Sequence, residues 1–387
     1  MRHHPKSVLA ITLSVAASIW WVSIQNYSTS ADERIYSRQE CAEDLSKVSF
    51  DMAQFALNRG DTDCAILNFK KAIELKPDKL LFYQKLCQCY QGLGQAEQAL
   101  NTYFIARQAT TTNSTRNTVK DTRSLLQNPL PWQGENIIGK KLYIDADHWL
   151  EDSICFLRFL PQLAPFKADI YCKVPDTLLS LCKNSLPSIH FFSDSSTCDT
   201  PSFDYYTSLA SLPALLNITL QKLTPLKDYL QPDATHVATK KALLGTGKLR
   251  VGLCWHNTPK NSVPLSLLQD VATLPHVQLY ALQLLQHPNA AIIDLSAECR
   301  TLHDTAALIK NLDVVVTIDG PIAHLAGAIG TPVLLLEKHT ANDWRWQVAR
   351  RGNHSAWYPD MRIFQQPKTG DWLSVMADVH EALQLIK

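Results

Sequence analysis

The stretch that decides the fold runs from Asp313 to Trp346 and reads DVVVTIDGPIAHLAGAIGTPVLLLEKHTANDWRW. Its first part, Val314 to Ile318, is β-branched almost throughout, and a short apolar run bounded by turn residues predicts a strand buried on both faces of a parallel sheet. Pro321 suits a first helical position, and the helix that follows should end at Gly330. A second strand is expected over residues 331–336. The stretch therefore predicts a strand, loop, helix and strand of an α/β protein.

The loop between this strand and this helix carries polar side chains where α/β sheets bind ligands. A helix that starts at the carboxyl end of its strand points free amide N–H groups and the positive end of its dipole at an anion. Asp319 and Gly320 precede the helix, and His324 lies one turn into it. These three residues are the first candidates for a phosphate-type site. The competing interpretation is an ordinary βαβ turn in which His324 only packs or caps.

A longer series of residues around this loop resembles a known family. In chain order the series is Asp319, residues 323–328 (AHLAGA), 330–332 (GTP), 343–346 (DWRW), 357–359 (WYP) and 361–362 (MR). It resembles the C-terminal half of heptosyltransferase-like domains of glycosyltransferase family 9, and more narrowly the branch in which that domain follows tetratricopeptide repeats. The resemblance implies a GT-B architecture, with two Rossmann-like halves and a cleft between them. It also implies inverting transfer of a sugar from a nucleotide-sugar donor to a hydroxyl acceptor. No cofactor and no metal are predicted.

Asp152 stands where the first strand of the first half should pass into its first helix, and it aligns with the family's catalytic base. A carboxylate there could take the proton from an acceptor hydroxyl while the sugar leaves its nucleotide. The alternative role is that of a helix cap, which Asp also fills well. The chain departs from the family here, because Trp149 and Glu151 replace glycines that allow close approach.

The donor-binding residues expected from the resemblance are Asp319, Gly320, His324 and Lys260, the last being the sole candidate cation of its loop. Pro321 departs from the family because it has no N–H to give to a phosphate. Each charge-assisted hydrogen bond lost removes about 1.5–3 kcal/mol of binding. Two hypotheses therefore stand: a glycosyltransferase, or a catalytically inactive tetratricopeptide scaffold that retains the GT-B fold.

Composition bounds these hypotheses. The chain has 387 residues, of which 46% are hydrophobic and 19% charged, and this predicts two or three globular domains. A net charge of +1 without a basic stripe argues against a nucleic-acid partner. The ten cysteines show no metal-type spacing, so no metal site is predicted from them.

The N-terminus carries a membrane signal. Arg2 and Lys6 precede Ser7 to Ile24, eighteen residues without a charge. Such a run is just long enough to span a bilayer, and the positive flank favours a cytoplasmic N-terminus. We expect a single-pass anchor within residues 1–30, its orientation being open. A cleaved signal peptide is the alternative, with residues 29–31 as a poor cleavage site.

Residues 41–112 contain two copies of a 34-residue repeat. The matched pairs are Gly60 and Gly94, Ala65 and Ala99, Phe69 and Tyr103, and Ala72 and Ala106. This pattern resembles tetratricopeptide repeats, in which small residues let paired helices approach and glycines turn the chain. The hairpins would bind a protein or peptide in their groove, or would serve only as a spacer.

The predicted fold class is α/β, with helical tetratricopeptide hairpins followed by two Rossmann-like, doubly wound parallel-sheet halves. A linker with a possible helix is expected over residues 113–134, the first half over 135–236 and the second over 237–387. Beyond the opening stretch, strands are predicted at residues 141–146, 168–174, 189–192, 249–255 and 277–282, and helices at 152–163 and 176–182.

Overall fold

The computed structural model describes residues 31–121, 129–146, 150–193, 195, 201–258, 261–285, 290–339, 344–347, 350 and 352–386. The predicted anchor within residues 1–30 lies outside this part of the chain, as do Trp149 and Lys260. Among the described helices, none is both long enough and apolar enough to cross a membrane. The chain divides into two compact units, one ending at Lys76 and the other beginning at Pro77.

The first unit consists of helices α1 (Ala31–Asn58) and α2 (Thr62–Leu75), which pack against each other. Ala53 and Ala65 are fully buried, so their small side chains allow the close approach expected of them. Asp61 caps α2, since its Oδ1 accepts a hydrogen bond from the Cys64 amide at 3.1 Å. Helices are thus present where the first repeat predicts them, and their assignment as a tetratricopeptide hairpin stays a prediction.

The second unit begins with helices α3 (Leu80–Gly92) and α4 (Ala96–Asp121). The Cys87 thiol donates to the carbonyl oxygen of Ala99 at 3.3 Å, and this contact joins the two helices at a buried point. Helix α4 continues through residues 110–121, so part of the segment predicted as a linker with a possible helix is helical. The amide of Leu220 donates to Glu97 at 2.9 Å, so α4 also contacts the α/β part of the same unit.

The first α/β half contains a five-stranded parallel sheet in the order β1-β5-β2-β3-β4. The strands are β1 (Leu130–Pro131), β2 (Lys141–Asp145), β3 (Asp169–Lys173), β4 (His190–Phe192) and β5 (Tyr205–Ser208), with helices α5 (Leu150–Phe156), α6 (Asp176–Ser185) and α7 (Leu212–Leu215). The prediction of one helix over residues 152–163 is wrong. The α-helix ends at Phe156 and a 3₁₀ helix follows over Leu157–Phe166, because Pro161 and Pro165 have no N–H for α-helical bonds.

The second α/β half contains a six-stranded parallel sheet in the order β10-β9-β6-β11-β12-β13. Its strands are β6 (Leu249–Cys254), β9 (Val277–Ala281), β10 (Ile292–Asp294), β11 (Val314–Ile318), β12 (Val333–Glu337) and β13 (Met361–Gln365), and a small antiparallel ribbon is formed by β7 (His256–Thr258) and β8 (Asn261–Ser262). The helices are α8 (Ala234–Lys241), α9 (Leu265–Gln269), α10 (Leu302–Ile309), α11 (Pro321–Ile329), α12 (Trp344–Gln347) and α13 (Trp372–Gln384). The strand order reverses between β6 and β11, which is the switch point where open α/β sheets form a ligand crevice.

The core of this second sheet is mainly aliphatic. Val251, Val316 and the fully buried Val379 of α13 belong to one buried cluster. On the opposite face a Cβ on Gly252 would meet Leu312, which follows α10. Two parallel sheets, each within a mixed α/β half, confirm the predicted α/β class at this level.

Candidate functional site

Two strand-to-helix joints, one from each α/β half, meet within the second unit. Helix α5 follows β2 in the first half, helix α11 follows β11 in the second, and these two helices contact each other. Both joints lie at the carboxyl ends of inner strands of their parallel sheets. The expected base, Asp152 on α5, and the expected donor residues Asp319, Gly320 and His324 are therefore brought to one region.

Asp152 is a buried carboxylate in the first turn of α5, with 1% of its surface exposed. Its Oδ1 accepts a hydrogen bond from Nη2 of Arg345, which lies on α12 in the other half and is itself buried. The carbonyl oxygen of Arg345 accepts a further bond from Nε1 of Trp357 at 3.0 Å. Withdrawing two charges from water has a large desolvation penalty, so such a pair persists only in well-matched geometry. The ion pair therefore fixes how the two joints face each other.

His324 is fully buried on α11. Its Nδ1 lies 2.8 Å from the hydroxyl of Tyr358, and its ring stacks on Trp346 with centroids 4.7 Å apart. Burial, and next the cations of Arg345 and Arg158, hold the pKa of His324 well below its usual value of 6.5. Its Nε2 has no hydrogen-bond partner within the described part of the chain. His324 is therefore neutral, and it can contribute one hydrogen bond but no charge.

Asp319 and Gly320 shape the loop before α11. Asp319 is half-buried, and its Oδ1 accepts a hydrogen bond from Nε1 of Trp346 at 2.7 Å. Gly320 has φ 156° and ψ −173°, a conformation that is essentially restricted to glycine. Pro321 is the first helical residue, and the amide of Ala323 donates to the Gly320 carbonyl oxygen at 3.1 Å. The helix start thus offers fewer free amides than a helix without proline would.

Arg158 is a second buried cation at the same interface, and sequence reasoning did not identify it. Its Nη2 donates to the carbonyl oxygens of Leu226 at 2.9 Å and Trp357 at 2.8 Å. The guanidinium also lies over the rings of Tyr229 and Tyr358, 5.0 Å from each centroid. Arg158 therefore links the 3₁₀ helix of the first half to the segment before β13.

The remaining predicted positions are less informative. Glu151 is half-buried on α5, beside Asp152. Trp149 and Lys260 lie outside the described residues, so their expected roles stay predictions. A surface cleft beside β13, lined in part by Arg350, Arg362 and Gln365, includes none of the predicted site residues.

The chemistry available at the two joints is that of one carboxylate, one guanidinium bound to it and one neutral imidazole. In this arrangement Arg345 binds Oδ1 of Asp152, and only 1% of the Asp152 surface is exposed. An acceptor hydroxyl can therefore reach this carboxylate only if the side chains around it move. The partnership of Asp152 and Arg345 could not be found from spacing, since 193 residues separate them.

Comparison with known proteins gives distant relatives. No protein-family model matches the chain. Protein FlbA of Caulobacter vibrioides is 25% identical over an alignment of 395 positions, which covers 89% of this chain and 62% of FlbA. The chain thus spans less than two thirds of the length of that relative.

Among solved structures, the ADP-heptose LPS heptosyltransferase II of E. coli is 13% identical with a TM-score of 0.44, covering 63% of this chain and 98% of that one. A family 9 glycosyltransferase from Veillonella parvula is 10% identical with a TM-score of 0.43, covering 66% and 92%. A mutant O-GlcNAc transferase from Thermobaculum terrenum is 13% identical with a TM-score of 0.31, covering 92% and 94%.

Proposed function

We propose that this chain is a glycosyltransferase-like protein of GT-B type, which transfers a sugar from a nucleotide-sugar donor to a hydroxyl acceptor with inversion. The observation that carries the proposal is the contact between α5 and α11, the two helices that bear Asp152 and His324. Joints of this kind are where parallel α/β sheets bind ligands. The series of residues that resembles glycosyltransferase family 9 supplies the expected reaction.

In the proposed reaction, the donor binds at the loop formed by Asp319 and Gly320. His324, one turn into the helix that follows, and the cation of Lys260 also contact the donor. The carboxylate of Asp319 would accept hydrogen bonds from sugar hydroxyls. Asp152 would take the proton of the acceptor hydroxyl as that oxygen attacks the anomeric carbon and the nucleoside diphosphate leaves on the opposite side. No cofactor or metal takes part in this reaction.

Arg345 has a specific part in the proposal. A guanidinium binds a diphosphate through charge-assisted, often bidentate hydrogen bonds. We propose that the diphosphate of the donor draws Arg345 away from Asp152, so that donor binding frees the base. The buried pair would then keep Asp152 occupied until a donor is present.

Calorimetry of the full chain with ADP-heptose, ADP and other nucleotide sugars tests this function. Asp319→Asn should weaken binding of the intact nucleotide sugar about tenfold, the equivalent of about 1.4 kcal/mol, and leave binding of the free nucleotide unchanged. Asp152→Asn should bind the donor at least as tightly as the unmodified chain, because Arg345 loses its competing carboxylate. The same variant should transfer no sugar.

Asp270→Asn, an exposed substitution directly after α9, is the matched control and should bind and transfer normally. Absence of heat with every nucleotide and nucleotide sugar at millimolar concentration would rule out the transferase.

A second candidate function is a non-catalytic scaffold, and one observation favours it. Asp152 and His324 are both almost completely shielded from solvent, at 1% and 0% exposure. A site that never opens would keep the GT-B fold as a support while the N-terminal helices bind a protein or peptide partner. The calorimetry above separates the two functions, since only the transferase needs a nucleotide sugar. Anchoring of this scaffold or enzyme to a membrane through residues 7–24 is a further part of the proposal.

A further inference from the structure

One carboxylate and two imidazoles converge where helices α8 and α10 begin. Asp233 is the N-cap of α8, His236 lies in its first turn, and His303 is the second residue of α10. One candidate ligand atom from each side chain lies within 4.8 Å of the other two. We propose that Asp233, His236 and His303 together bind one divalent transition-metal ion of the Zn²⁺ type.

The distances within this cluster suit a metal ion. Oδ2 of Asp233 lies 3.0 Å from Nε2 of His303 and 2.8 Å from Nδ1 of His236. A tetrahedral Zn²⁺ with bonds of about 2.0–2.1 Å holds neighbouring ligand atoms about 3.3 Å apart. Small side-chain rotations would therefore bring the three atoms to coordinating positions.

The carboxylate of Asp233 is already oriented for this task. Its Oδ1 accepts a hydrogen bond from the backbone amide of His236 at 2.9 Å, as a helix cap does. That bond leaves Oδ2 directed at the two imidazoles. The cap thus holds the metal-binding oxygen in position without occupying it.

Each imidazole also has an outer partner on the nitrogen that would not bind the ion. Nδ1 of His303 lies 2.7 Å from the hydroxyl of Ser180 on α6. If the Nδ1–H group donates a hydrogen bond to this hydroxyl, the lone pair of Nε2 faces the cluster. The backbone amide of Asp233 donates to Nε2 of His303 at 3.2 Å, so Nε2 carries a lone pair, and a bound ion would replace this hydrogen bond. Nε2 of His236 lies 3.5 Å from a carboxylate oxygen of Asp304. Metal-binding histidines commonly show such partners, which orient the ring and fix its tautomer.

The ligand types select the class of ion. Two imidazoles and one carboxylate suit Zn²⁺ and its neighbours among the transition metals, whereas Ca²⁺ and Mg²⁺ prefer oxygen ligands throughout. His303 is buried, but nearly half of the His236 side chain is exposed, and this gives the ion an entry path. The nearby amine of Lys240 lies 2.9 Å from a carboxylate oxygen of Glu298 and 3.7 Å from Oδ1 of Asp304. Three protein ligands would leave at least one position for water.

Two of the three proposed ligands lie close together in the sequence. Asp233 and His236 stand three residues apart, which puts them on one face of a helix. His303 follows 67 residues later, so only the fold brings it to them. The expectation of no metal rested on cysteine spacing and does not bear on these residues.

Titration of the full chain with Zn²⁺, followed by calorimetry, and with Co²⁺, followed by visible absorption, tests the site. One equivalent should bind to the unmodified chain. His236→Gln should weaken that binding at least 100-fold, because loss of even an outer partner commonly weakens binding about 10–100-fold. His354→Gln replaces an exposed histidine elsewhere and should bind as the unmodified chain does. Equal binding by His236→Gln and the unmodified chain, or no binding of Zn²⁺ at micromolar concentration by the latter, would overturn the proposal.

Two further variants test whether the charge of Asp233 and the outer partner of His303 contribute to metal binding. Asp233→Asn retains a good helix cap but loses the charge, and Ser180→Ala removes the outer partner of His303. Both should fold, and both should bind Zn²⁺ less tightly. Zn²⁺ should also raise the unfolding temperature of the unmodified chain but not that of His236→Gln. A rise of the same size in both proteins would contradict the assignment.

Discussion

The interface between the two α/β halves and the core of the second sheet are both buried, but different side chains build them. The core consists of aliphatic residues such as Val251, Val316 and Val379, which pack without directional bonds. The interface instead buries Asp152 and Arg345 among aromatic rings. Aliphatic packing tolerates many arrangements of similar volume, whereas buried charges are acceptable in only a few. The core therefore stabilises the second half, and the interface fixes how the two halves face each other.

The largest expected effect on stability comes from removing Arg158 at the interface. Arg158→Met should lower the free energy of unfolding by about 3–6 kcal/mol. One buried and one partly buried carbonyl oxygen lose a charged donor, which contributes about 1.5–3 kcal/mol to each. Urea unfolding of the full chain measures this change.

Arg300→Met is the matched control for Arg158→Met. Arg300 is exposed, and within the described residues its side chain hydrogen-bonds to its own turn, at the Ala297 carbonyl oxygen 3.2 Å away. This variant should change the free energy of unfolding by less than about 0.5 kcal/mol. Equal losses in the two variants would mean that the interface tolerates substitution as well as the surface does.

The difference between local packing and long-range contacts also determines which elements could be predicted from the sequence. β11 and α11 could be predicted because local signals agree: β-branched residues form the strand, Pro321 begins the helix and Gly330 ends it with φ 88°. β5 could not, since Tyr205 to Ser208 is short and lies between two strands that come earlier in the chain. Local periodicity determines an element, but long-range pairing determines its neighbours.

The candidate site follows the same rule. Asp152 and Asp319 could be proposed because each stands next to a recognisable strand end. The partner of Asp152, Arg345, could not, because that contact depends on how the two halves pack. Trp346, which binds Asp319 within the second half, belongs to the series of residues that resembles the family. The cluster around Asp233 was overlooked for a similar reason, since its third residue is supplied by a distant helix. Sequence reasoning thus finds residues near joints more readily than it finds the residues that close over them.

Two glycine substitutions test whether the interface accommodates an added methyl group less well than the core does. A Cβ on Gly327 would lie 2.5 Å from the ring of Tyr358, and a Cβ on Gly252 would lie 2.5 Å from Cδ1 of Leu312. The Tyr358 ring cannot move away easily, because its hydroxyl is hydrogen-bonded to His324 and the guanidinium of Arg158 lies over the ring. Gly327→Ala should therefore cost about 3 kcal/mol and Gly252→Ala about 1 kcal/mol, the upper and lower ends of the usual overpacking range.

Thermal unfolding of the two glycine variants side by side measures this difference, since both add one methyl group at a buried position. A larger loss for Gly252→Ala than for Gly327→Ala would show that the core is the more rigid of the two regions.

The last expected effect, which grows as the pH falls, is a dependence of stability on pH that comes from His324. Burial and the cations of Arg345 and Arg158 hold the pKa of His324 well below 6.5, so the folded protein excludes a proton that the unfolded chain binds as pH falls below about 6.5. The unfolded state then carries more protons, and stability decreases towards acid by at most about 1.4 kcal/mol per pH unit.

The variant His324→Phe keeps a ring stacked on Trp346 but cannot titrate, so it should be less stable at neutral pH and lose less stability on acidification. Urea midpoints between pH 7.5 and 5 measure both slopes, with the exposed His354→Gln as the control that should retain the slope of the unmodified chain. His303 contributes a residual slope in every variant, because burial and the neighbouring His236 lower its pKa as well. Parallel curves for His324→Phe and the unmodified chain would mean that His324 is protonated in the folded protein, and that the interface opens to water more readily than its packing indicates.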